Sequence, residues 1–440
     1  DPDNIEARDA LNFIAAKNNI PYKLFLITTD DYQKVIESYK GISGEVSKAL
    51  TELESVLSVD VEGSIDLKQS KTEENSEAII IEDAPVVKIV ATVVRYATEG
   101  NASDVHIEHM RDKVRVRFRV DGILNTSLVL PPQVHSAVVA RIKVLCNMKL
   151  DEKRKPQDGR FSARIDGRKI DFRVSTFPAY YGEKVVMRIL DQEKGVKKLD
   201  EMGLTQKNLE LVKEAIQRPY GLILITGPTG SGKSTTLYSM LNEVDRESFN
   251  VLSLEDPIEY NMDGVSQSQV HPEIGYTFAS GLRTTLRQDP DIIMVGEIRD
   301  KETAQLAVQA ALTGHLVFST LHTNNAGGVI PRLIDMGVDP YLVASTLSLV
   351  IAQRLVRKVC VECKGATCTQ CGMSGYKGRI VISETLVVDE EMRKYIMSRV
   401  PLAELSRYAQ VKGMRTMYED GIEKVEQGIT TREEILRIIQ

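Results

Sequence analysis

The sequence predicts an α/β protein with a smaller α+β domain ahead of the main domain, and two patterns carry this prediction. From about residue 205, short apolar strands alternate with helices, which is typical of a largely parallel sheet. Before that point, residues 113–190 contain strand-length runs with Asp-Gly turn signals. The chain has 440 residues, of which 42% are hydrophobic and 27% charged, so it can bury large cores.

The N-terminal part is predicted to be helical and then unstructured. Residues 1–60 are interpreted as a partial helical domain, with an amphipathic helix over 30–41 that ends at Gly41. Because the chain begins at Asp1 without Met, we expect an N-terminal segment to be missing. Residues 61–85 are polar and charged, with few large apolar residues, and are predicted to form a linker.

The predicted α+β domain covers residues 86–192. It begins with a helix that ends at a glycine, and its strands alternate basic and apolar side chains. Asp-Gly pairs at 121–122 and 166–167 predict hairpins. The predicted elements are a helix over 84–100, strands within 113–124, a helix over 135–149, and strands within 159–177 and 182–190.

The predicted α/β domain covers residues 193–353, and two shorter regions follow it. Residues 354–380 contain a cysteine cluster, and residues 381–440 are predicted to be a helical tail. The segment 341–356 is interrupted by polar residues, so we interpret it as a core helix and not as a membrane span. The domain itself is predicted to have a helix over 206–217 and strands over 221–227, 250–256, 291–297 and 316–322.

Charge and cysteine usage exclude several classes of protein. The net charge of -6 argues against general affinity for nucleic acid. Signal-peptide features are absent from the sequence, and four of the five cysteines are clustered, so a reducing cytosol is expected.

The four clustered cysteines form two CxxC pairs separated by four residues. Four soft ligands suffice for a closed tetrahedral zinc site, which is the favoured interpretation. Reduced thiols without metal and disulfides are the alternatives. Cys146, in an apolar helix, is predicted to be an inert core residue. The predicted zinc ligands are Cys360, Cys363, Cys368 and Cys371.

A phosphate-binding loop is predicted between a strand and a helix, where "GPTGSGKST" fits the pattern G-x-x-x-x-G-K-[ST]. Lys233 is expected to reach the β- and γ-phosphates of ATP, and the Ser234 hydroxyl to ligate Mg²⁺. The alternative is a tight structural turn. The predicted nucleotide-binding residues are Gly227, Pro228, Thr229, Gly230, Ser231, Gly232, Lys233, Ser234 and Thr235.

Hydrolysis also requires carboxylates, and two strands end in them. Glu297 closes an apolar strand, while Glu255, Asp256 and Glu259 follow another. Ligands bind at the carboxyl ends of strands in open α/β sheets, so these residues are candidates for catalysis. The alternative is that they are solvated loop residues or helix caps.

The sequence resembles the secretion traffic ATPases that drive type II secretion and type IV pilus assembly. This resemblance implies a PAS-like domain over 86–192, a RecA-like ATPase domain after it, and a homohexamer. It also implies a cytoplasmic position, peripheral at the inner membrane, beside a platform protein. The matching segments are "ASDVHIE", "KPQDGR", "RVSTFPAYYGEKVVMRIL", "GPTGSGKSTTLYS", "LEDPIEY", "LRQDPDIIMVGEIRD" and "TGHLVFSTLHTNNA".

The resemblance also implies site roles. Glu259 matches the glutamate that polarises the attacking water, and Glu297 matches the acidic residue that acts on Mg²⁺ or its waters. His315 and His322 fall in the histidine box, although a buried imidazole without a catalytic role is the alternative. Arg173 and Arg188 match positions that reach nucleotide across a subunit boundary, the alternative being solvated strand residues.

Two departures from the family leave some questions open. Residues 1–60 resemble only the second half of the family's N-terminal domain, so cyclic dinucleotide binding cannot be assigned. The spacer between the CxxC pairs is shorter than the family's.

The sequence does not distinguish pilus assembly from type II secretion. Two alternative functions are a nucleotide-gated scaffold with little turnover and a DNA-translocating hexamer.

Overall fold

The computed structural model describes residue 42, residues 44–50, residues 85–191 and residues 195–439. Residues 44–50 are helical. The helix predicted over 30–41 and nearly all of the linker predicted over 61–85 lie outside the described residues. The chain divides into two structural units between Ile189 and Leu190.

Between residues 85 and 191, the first unit forms a six-stranded sheet with two α-helices. Strand side chains alternate, so that Val114, Val116 and Phe118 are buried while the intervening arginines lie on the opposite face. The strand order is β3-β2-β1-β6-β5-β4. The elements are α1 (Pro85–Glu99), β1 (Asp104–His109), β2 (Val114–Val120), β3 (Ile123–Leu130), α2 (His135–Leu145), β4 (Gln157–Ile165), β5 (Arg168–Ala179) and β6 (Gly182–Asp191).

The turn signals in this unit are confirmed. Asp121 and Gly122 have φ values of 49° and 86°, and Asp166 and Gly167 have φ values of 51° and 80°. Two consecutive left-handed residues match the right-handed twist of a hairpin, and Asp and Gly adopt this conformation at low cost. The hairpins β2–β3 and β4–β5 therefore form where the sequence predicts them.

The second unit is built on a seven-stranded sheet in the order β13-β12-β7-β11-β10-β8-β9. Its neighbouring strands run parallel except β12 and β13, which form an antiparallel edge. Its strands are β7 (Gly221–Thr226), β8 (Val251–Glu255), β9 (Val265–Gln269), β10 (Ile292–Val295), β11 (Leu316–Leu321), β12 (Leu347–Val359) and β13 (Tyr376–Val387). Its helices are α3 (Gln206–Ile216), α4 (Lys233–Glu243), α5 (Phe278–Thr285), α6 (Lys301–Leu312), α7 (Val329–Asp335), α8 (Pro340–Thr346), α9 (Glu390–Met397), α10 (Leu402–Val411), α11 (Met417–Glu426) and α12 (Arg432–Ile439).

Both faces of this sheet are covered by apolar cores. In β7, Leu222 and Leu224 belong to one core, and Ile223 and Ile225 belong to the other. All six residues of β7 are buried, as expected for a central strand of a parallel sheet. This strand leads directly into the predicted phosphate-binding loop.

The prediction of a core helix over 341–356 is wrong for most of that segment. The helix α8 ends at Thr346, and β12 takes the rest. The run is apolar on both sides because β12 is buried on both faces, and such a run has no period that distinguishes a strand from a helix. The predicted helical tail likewise begins within a strand, because β13 extends to Val387.

Candidate functional site

The predicted phosphate-binding loop leaves the carboxyl end of β7 and enters α4. Gly230 and Gly232 have φ values of 80° and 88°, a region that glycine adopts without strain. At Gly227 a Cβ atom would lie 2.5 Å from the carbonyl oxygen of Gln353, so only glycine fits there. The loop can therefore curl so that its N–H groups, with the N-terminus of α4, face an anion.

Gln353, on β12, holds this loop in place through hydrogen bonds. It is fully buried, and its Nε2 donates to the carbonyl oxygen of Ser231 at 2.9 Å. Its Oε1 accepts from the Thr236 hydroxyl at 3.0 Å. A single amide thus connects the loop and the first turn of α4 to the neighbouring strand.

Lys233 and Ser234 occupy the first turn of α4. The ammonium group of Lys233 donates to the carbonyl oxygens of Gly227 and Pro228, each at 3.0 Å. Burial lowers the pKa of Lys233, and Arg354 lowers it further, while Glu297 opposes both. Ser234 is exposed, so its hydroxyl is accessible at the start of the helix.

Glu297 follows β10 and lies against an arginine and a histidine side chain. Its Oε1 lies 2.6 Å from Arg299, and its Oε2 lies 3.4 Å from Nε2 of His322. The hydrogen bond to Glu297 raises the pKa of Arg299. His322 follows β11, and the next residue, Thr323, donates its N–H to the Thr226 hydroxyl at 2.8 Å. The structure therefore brings Glu297 and His322 together beside the end of β7.

The loop after β8 carries the other predicted carboxylates. The N–H groups of Glu259 and Tyr260 donate to the hydroxyl of Tyr238 at 3.1 and 3.3 Å. Glu255 is buried and accepts hydrogen bonds, whereas Asp256 is exposed. The backbone of Glu259 is therefore hydrogen-bonded directly to α4, the helix that carries Lys233.

His315 does not join this group. It precedes β11, whereas His322 follows it, so the two histidines lie at opposite ends of one strand, about 20 Å apart by strand rise. The Nδ1 atom of His315 lies 2.8 Å from the carbonyl oxygen of Ala310 and 3.2 Å from the Thr313 hydroxyl. His315 thus closes the turn between α6 and β11.

Arg173 and Arg188 belong to the first unit. Arg188, on β6, is exposed and lies 3.3 Å from Oδ1 of Asp104. Arg173, on β5, is half-buried and is the register partner of Arg160 on β4. Both arginines lie on the face of the sheet opposite the buried side chains of β5 and β6.

The four clustered cysteines lie between β12 and β13, and their sulfur atoms all lie within 4.8 Å of one another. The Cys360–Cys368 and Cys363–Cys371 sulfur distances are 3.8 and 3.7 Å, and no disulfide joins them. A tetrahedral zinc site with Zn–S bonds of about 2.3 Å places its sulfurs about 3.8 Å apart. The donor set therefore fits zinc in number, type and spacing.

The thiols of this cluster shift one another's pKa in both directions: burial and hydrogen bonds with Cys368, Cys360 and Cys371 raise the pKa of Cys363 to about 12, whereas the pKa values of Cys360 and Cys371 are lowered. Hydrogen bonds with the backbone of Cys363 lower the pKa of Cys360. Burial would raise the pKa of Cys371, but hydrogen bonds with the backbone of Cys368 and Gly375 bring it to about 6. Thiolates are the metal-binding form of cysteine. Outside the cluster, burial raises the pKa of the Cys146 thiol to about 12, in keeping with the predicted inert residue.

Three residues of the site escape sequence reasoning, although each leaves a signal. Arg299 stands two residues after Glu297, so the two side chains share one side of an extended segment. Gln353 interrupts a buried apolar run, which is unusual for an amide. Tyr238 lies four residues after Ser234 on the same helix face.

Within the described residues, we find no helix with the length and apolar character that crossing a bilayer requires.

Sequence comparison identifies the family. The profile described as "Type II/IV secretion system protein" matches residues 80–437. The chain is 46% identical to the type II secretion system ATPase E of Vibrio cholerae, over 81% of this chain and 76% of that protein. It is 41% identical to the type IV pilus assembly ATPase PilB of Thermus thermophilus, over 99% of this chain and 51% of that protein.

Solved structures agree with the sequence comparison. The Legionella pneumophila ATPase DotB has a TM-score of 0.64 at 26% identity and covers 83% of this chain and 97% of its own. The pilus retraction motor PilT with bound ADP has a TM-score of 0.58 at 30% identity and covers 78% of this chain and 95% of its own. With a phosphate-binding loop and adjacent carboxylates in the same sheet, the chain belongs to the type II/IV secretion system protein family and is one of its ATPases.

Proposed function

We propose that this ATPase is a motor that hydrolyses ATP with Mg²⁺ to power assembly of type IV pili or type II secretion pseudopili. The observation that carries the proposal is the shared edge of the sheet in the second unit. The phosphate-binding loop follows β7, Glu297 follows β10 and Glu259 follows β8. The carboxyl ends of parallel strands lie together, so binding and hydrolysis residues can act on one nucleotide.

In this proposal the residues have separate roles. The loop N–H groups and Lys233 bind the phosphates, and Mg²⁺, when bound, neutralises charge on the β- and γ-phosphates. Ser234 would hold the metal, and Glu297 would orient the metal or its waters. Glu259 would position the attacking water. His322, whose Nε2 lies 3.4 Å from Glu297, would couple the γ-phosphate to contacts between subunits.

The family resemblance supports the wider arrangement that we propose. The first unit would be PAS-like over 86–192, and the RecA-like ATPase domain would cover 193–353. The chain would form a homohexamer on the cytoplasmic side of the inner membrane, against a platform protein. The names of the relatives, ATPases of secretion and of pilus assembly, support this setting.

We further propose that the cysteine cluster is a structural zinc site. It supplies four thiol ligands, which is the ligand number of closed structural zinc sites. The site would stabilise the loop that connects β12 to β13.

The motor proposal is tested by Glu259→Gln. The amide keeps the size of the side chain but cannot accept a proton from water, so kcat should fall by on the order of 10²-fold while ATP remains bound. Steady-state phosphate release and recovery of bound nucleotide after rapid gel filtration measure both. Glu247→Gln, an exposed glutamate of the same unit, is the matched control. Turnover of Glu259→Gln at the wild-type rate would assign water positioning to another residue.

A further inference from the structure

The hydroxyl of Tyr238 lies at a junction between two parts of the candidate site. Its side chain is on α4 and is only 1% exposed. The helix begins at Lys233, so the phosphate-binding residues and Tyr238 belong to one rigid element. The groups that hydrogen-bond to this hydroxyl lie at the end of β8 and in the loop that carries Glu259.

The hydrogen bonds at this junction have only one consistent direction. The hydroxyl accepts from the N–H groups of Glu259 and Tyr260, at 3.1 and 3.3 Å. Its own proton is therefore donated to Oε2 of Glu255, which is acceptor-only when ionised. All three hydrogen-bonding capacities of the Tyr238 hydroxyl are used.

Glu255 is itself held on its other oxygen. Oε1 accepts from the Ser253 hydroxyl at 2.6 Å and from Nε2 of Gln267 at 3.0 Å. Gln267 also donates to the carbonyl oxygen of Tyr260 at 2.9 Å, and its Oε1 accepts from the Met262 N–H at 2.8 Å. Burial of Glu255, at 3% exposure, strengthens such hydrogen bonds and makes an unmade one costly.

We infer that Tyr238 and Glu255 are positioning residues that fix the backbone of Glu259 relative to the phosphate-binding helix. This inference rests on the proposed role of Glu259. Because the network ends on the N–H of Glu259 itself, a shift of the Tyr238 hydroxyl moves the proposed water-positioning carboxylate. Lys233, five residues earlier on the same helix, stays in place. The network therefore sets the distance between two parts of the site that the chain supplies from separate segments.

A core tyrosine without this role would behave differently. Loss of its hydroxyl would weaken packing around α4 and reduce activity whether or not Glu259 is present. A positioning residue loses its influence once the group it positions is removed. The two cases are separated by a double-mutant cycle and not by a single substitution.

The experiment measures single-turnover and steady-state ATP hydrolysis by the full chain in four forms: wild type, Tyr238→Phe, Glu259→Ala and the double variant. Tyr238→Phe should lower kcat about tenfold or more and change the KM for ATP less than twofold. In the Glu259→Ala background the same substitution should change the residual rate less than twofold. Tyr276→Phe is the control, because it removes a partly buried hydroxyl that bonds Ser268 at 2.7 Å in the same unit.

Each outcome decides the matter. An equal loss in both backgrounds, a change confined to KM, or wild-type kcat in Tyr238→Phe would overturn the inference while Glu259→Ala stays slow. Wild-type turnover of Glu259→Ala would instead overturn the proposed function on which it rests. If Tyr238→Phe does not fold, Glu255→Gln replaces it in the cycle. Its amide cannot satisfy all three neutral donors, so the same non-additive loss is expected.

Discussion

At the scale of single residues, Glu434 joins the C-terminal helix α12 to β12. Its side chain is fully buried and accepts from Arg357 at 2.8 Å, from Arg437 at 2.6 Å and from the backbone N–H of Arg357 at 3.0 Å. Burial would raise the pKa of Glu434, but these hydrogen bonds outweigh it and bring the pKa to about 2. The carboxylate therefore stabilises the folded state only while it is ionised.

This arrangement predicts acid sensitivity of the second unit. The pKa of Glu434 falls from 4.5 unfolded to about 2 folded, so its stabilisation is complete above pH 4.5 and is lost as pH decreases towards 2. A difference of this size corresponds to about 3 kcal/mol. In urea unfolding between pH 7 and 3, Glu434→Gln should be less stable at pH 7, and its stability should depend less on pH.

The control for this prediction is Glu426→Gln, because Glu426 is exposed at the end of the neighbouring helix α11. The control should keep the stability of the wild type at pH 7. Equal pH dependence in Glu434→Gln and wild type would show that another carboxylate determines the acid response. Glu108, whose pKa is lowered to about 2 by Arg117, Lys184 and Arg115 against its burial, contributes equally to all three proteins.

The site residues that sequence reasoning predicted are those in short local patterns. Lys233 and Ser234 stand in a nine-residue motif, and Glu297 closes a strand. Gln353 and Tyr238 have partners in distant segments, and Glu434 bonds Arg357 as well as Arg437 three residues later, so local spacing alone does not give their roles. Their roles follow from which strands become neighbours, and this is a property of the sheet order.

At the scale of elements, the cysteine cluster lies at the end of the antiparallel pair β12 and β13. Backbone hydrogen bonds close the turn. The Cys360 N–H donates to the carbonyl oxygen of Gly375 at 2.9 Å, and the Lys364 N–H donates to the carbonyl oxygen of Cys360 at 2.8 Å. Gly375 has a φ of 75°, and a Cβ there would lie 2.6 Å from the carbonyl oxygen of Gly365. The turn is therefore tight enough to bring four sulfurs together without a long spacer.

We predict about one zinc ion per chain, which Cys368→Ser removes. Loss of the metal leaves the turn with few apolar contacts, so the segment 360–375 should become sensitive to proteolysis. Elemental analysis of protein purified without chelator and limited proteolysis measure the two effects. Cys146→Ser, in the first unit, should keep its zinc. Wild-type protein without zinc would contradict the prediction.

Elements with a clear period were predicted more reliably than those without one. The hairpins of the first unit carry both alternation and Asp-Gly turns, and they form as expected. The strand β12 has neither signal, because most of its residues are buried on both faces. Its position between β7 and β13 is decided by long-range pairing.

At the scale of the whole molecule, the family resemblance gives two arginines of the first unit a proposed role in hydrolysis. The proposed loose transition state of phosphoryl transfer places negative charge on γ-phosphate oxygens, and an inserted arginine contributes roughly 10³–10⁵ in rate. In the second unit, Arg299 is paired with Glu297, and Arg357 with Glu434. Arg173 and Arg188 are the candidates that the family resemblance supports.

If these arginines act across a subunit boundary, turnover should depend on assembly. The specific activity should increase with protein concentration as hexamers form, and both Arg173→Ala and Arg188→Ala should lower kcat by at least 10³-fold if each supplies the inserted charge. Arg164→Ala, which removes an exposed arginine from the neighbouring strand β4, is the control for the charge of the sheet face. Its kcat should remain within twofold of the wild type.

Mixed hexamers test the direction of this action. An Arg188→Ala chain retains Lys233, and a Lys233→Ala chain retains Arg188, so some interfaces in a mixture combine an intact phosphate-binding loop with an intact arginine. Phosphate release by the mixture should therefore exceed that of either variant alone. A mixture that stays inactive, although each chain enters hexamers, would place the arginine in the same subunit as its nucleotide. Wild-type activity of both single arginine variants would instead assign Arg173 and Arg188 to the solvated face of the sheet, with Arg188 held by Asp104.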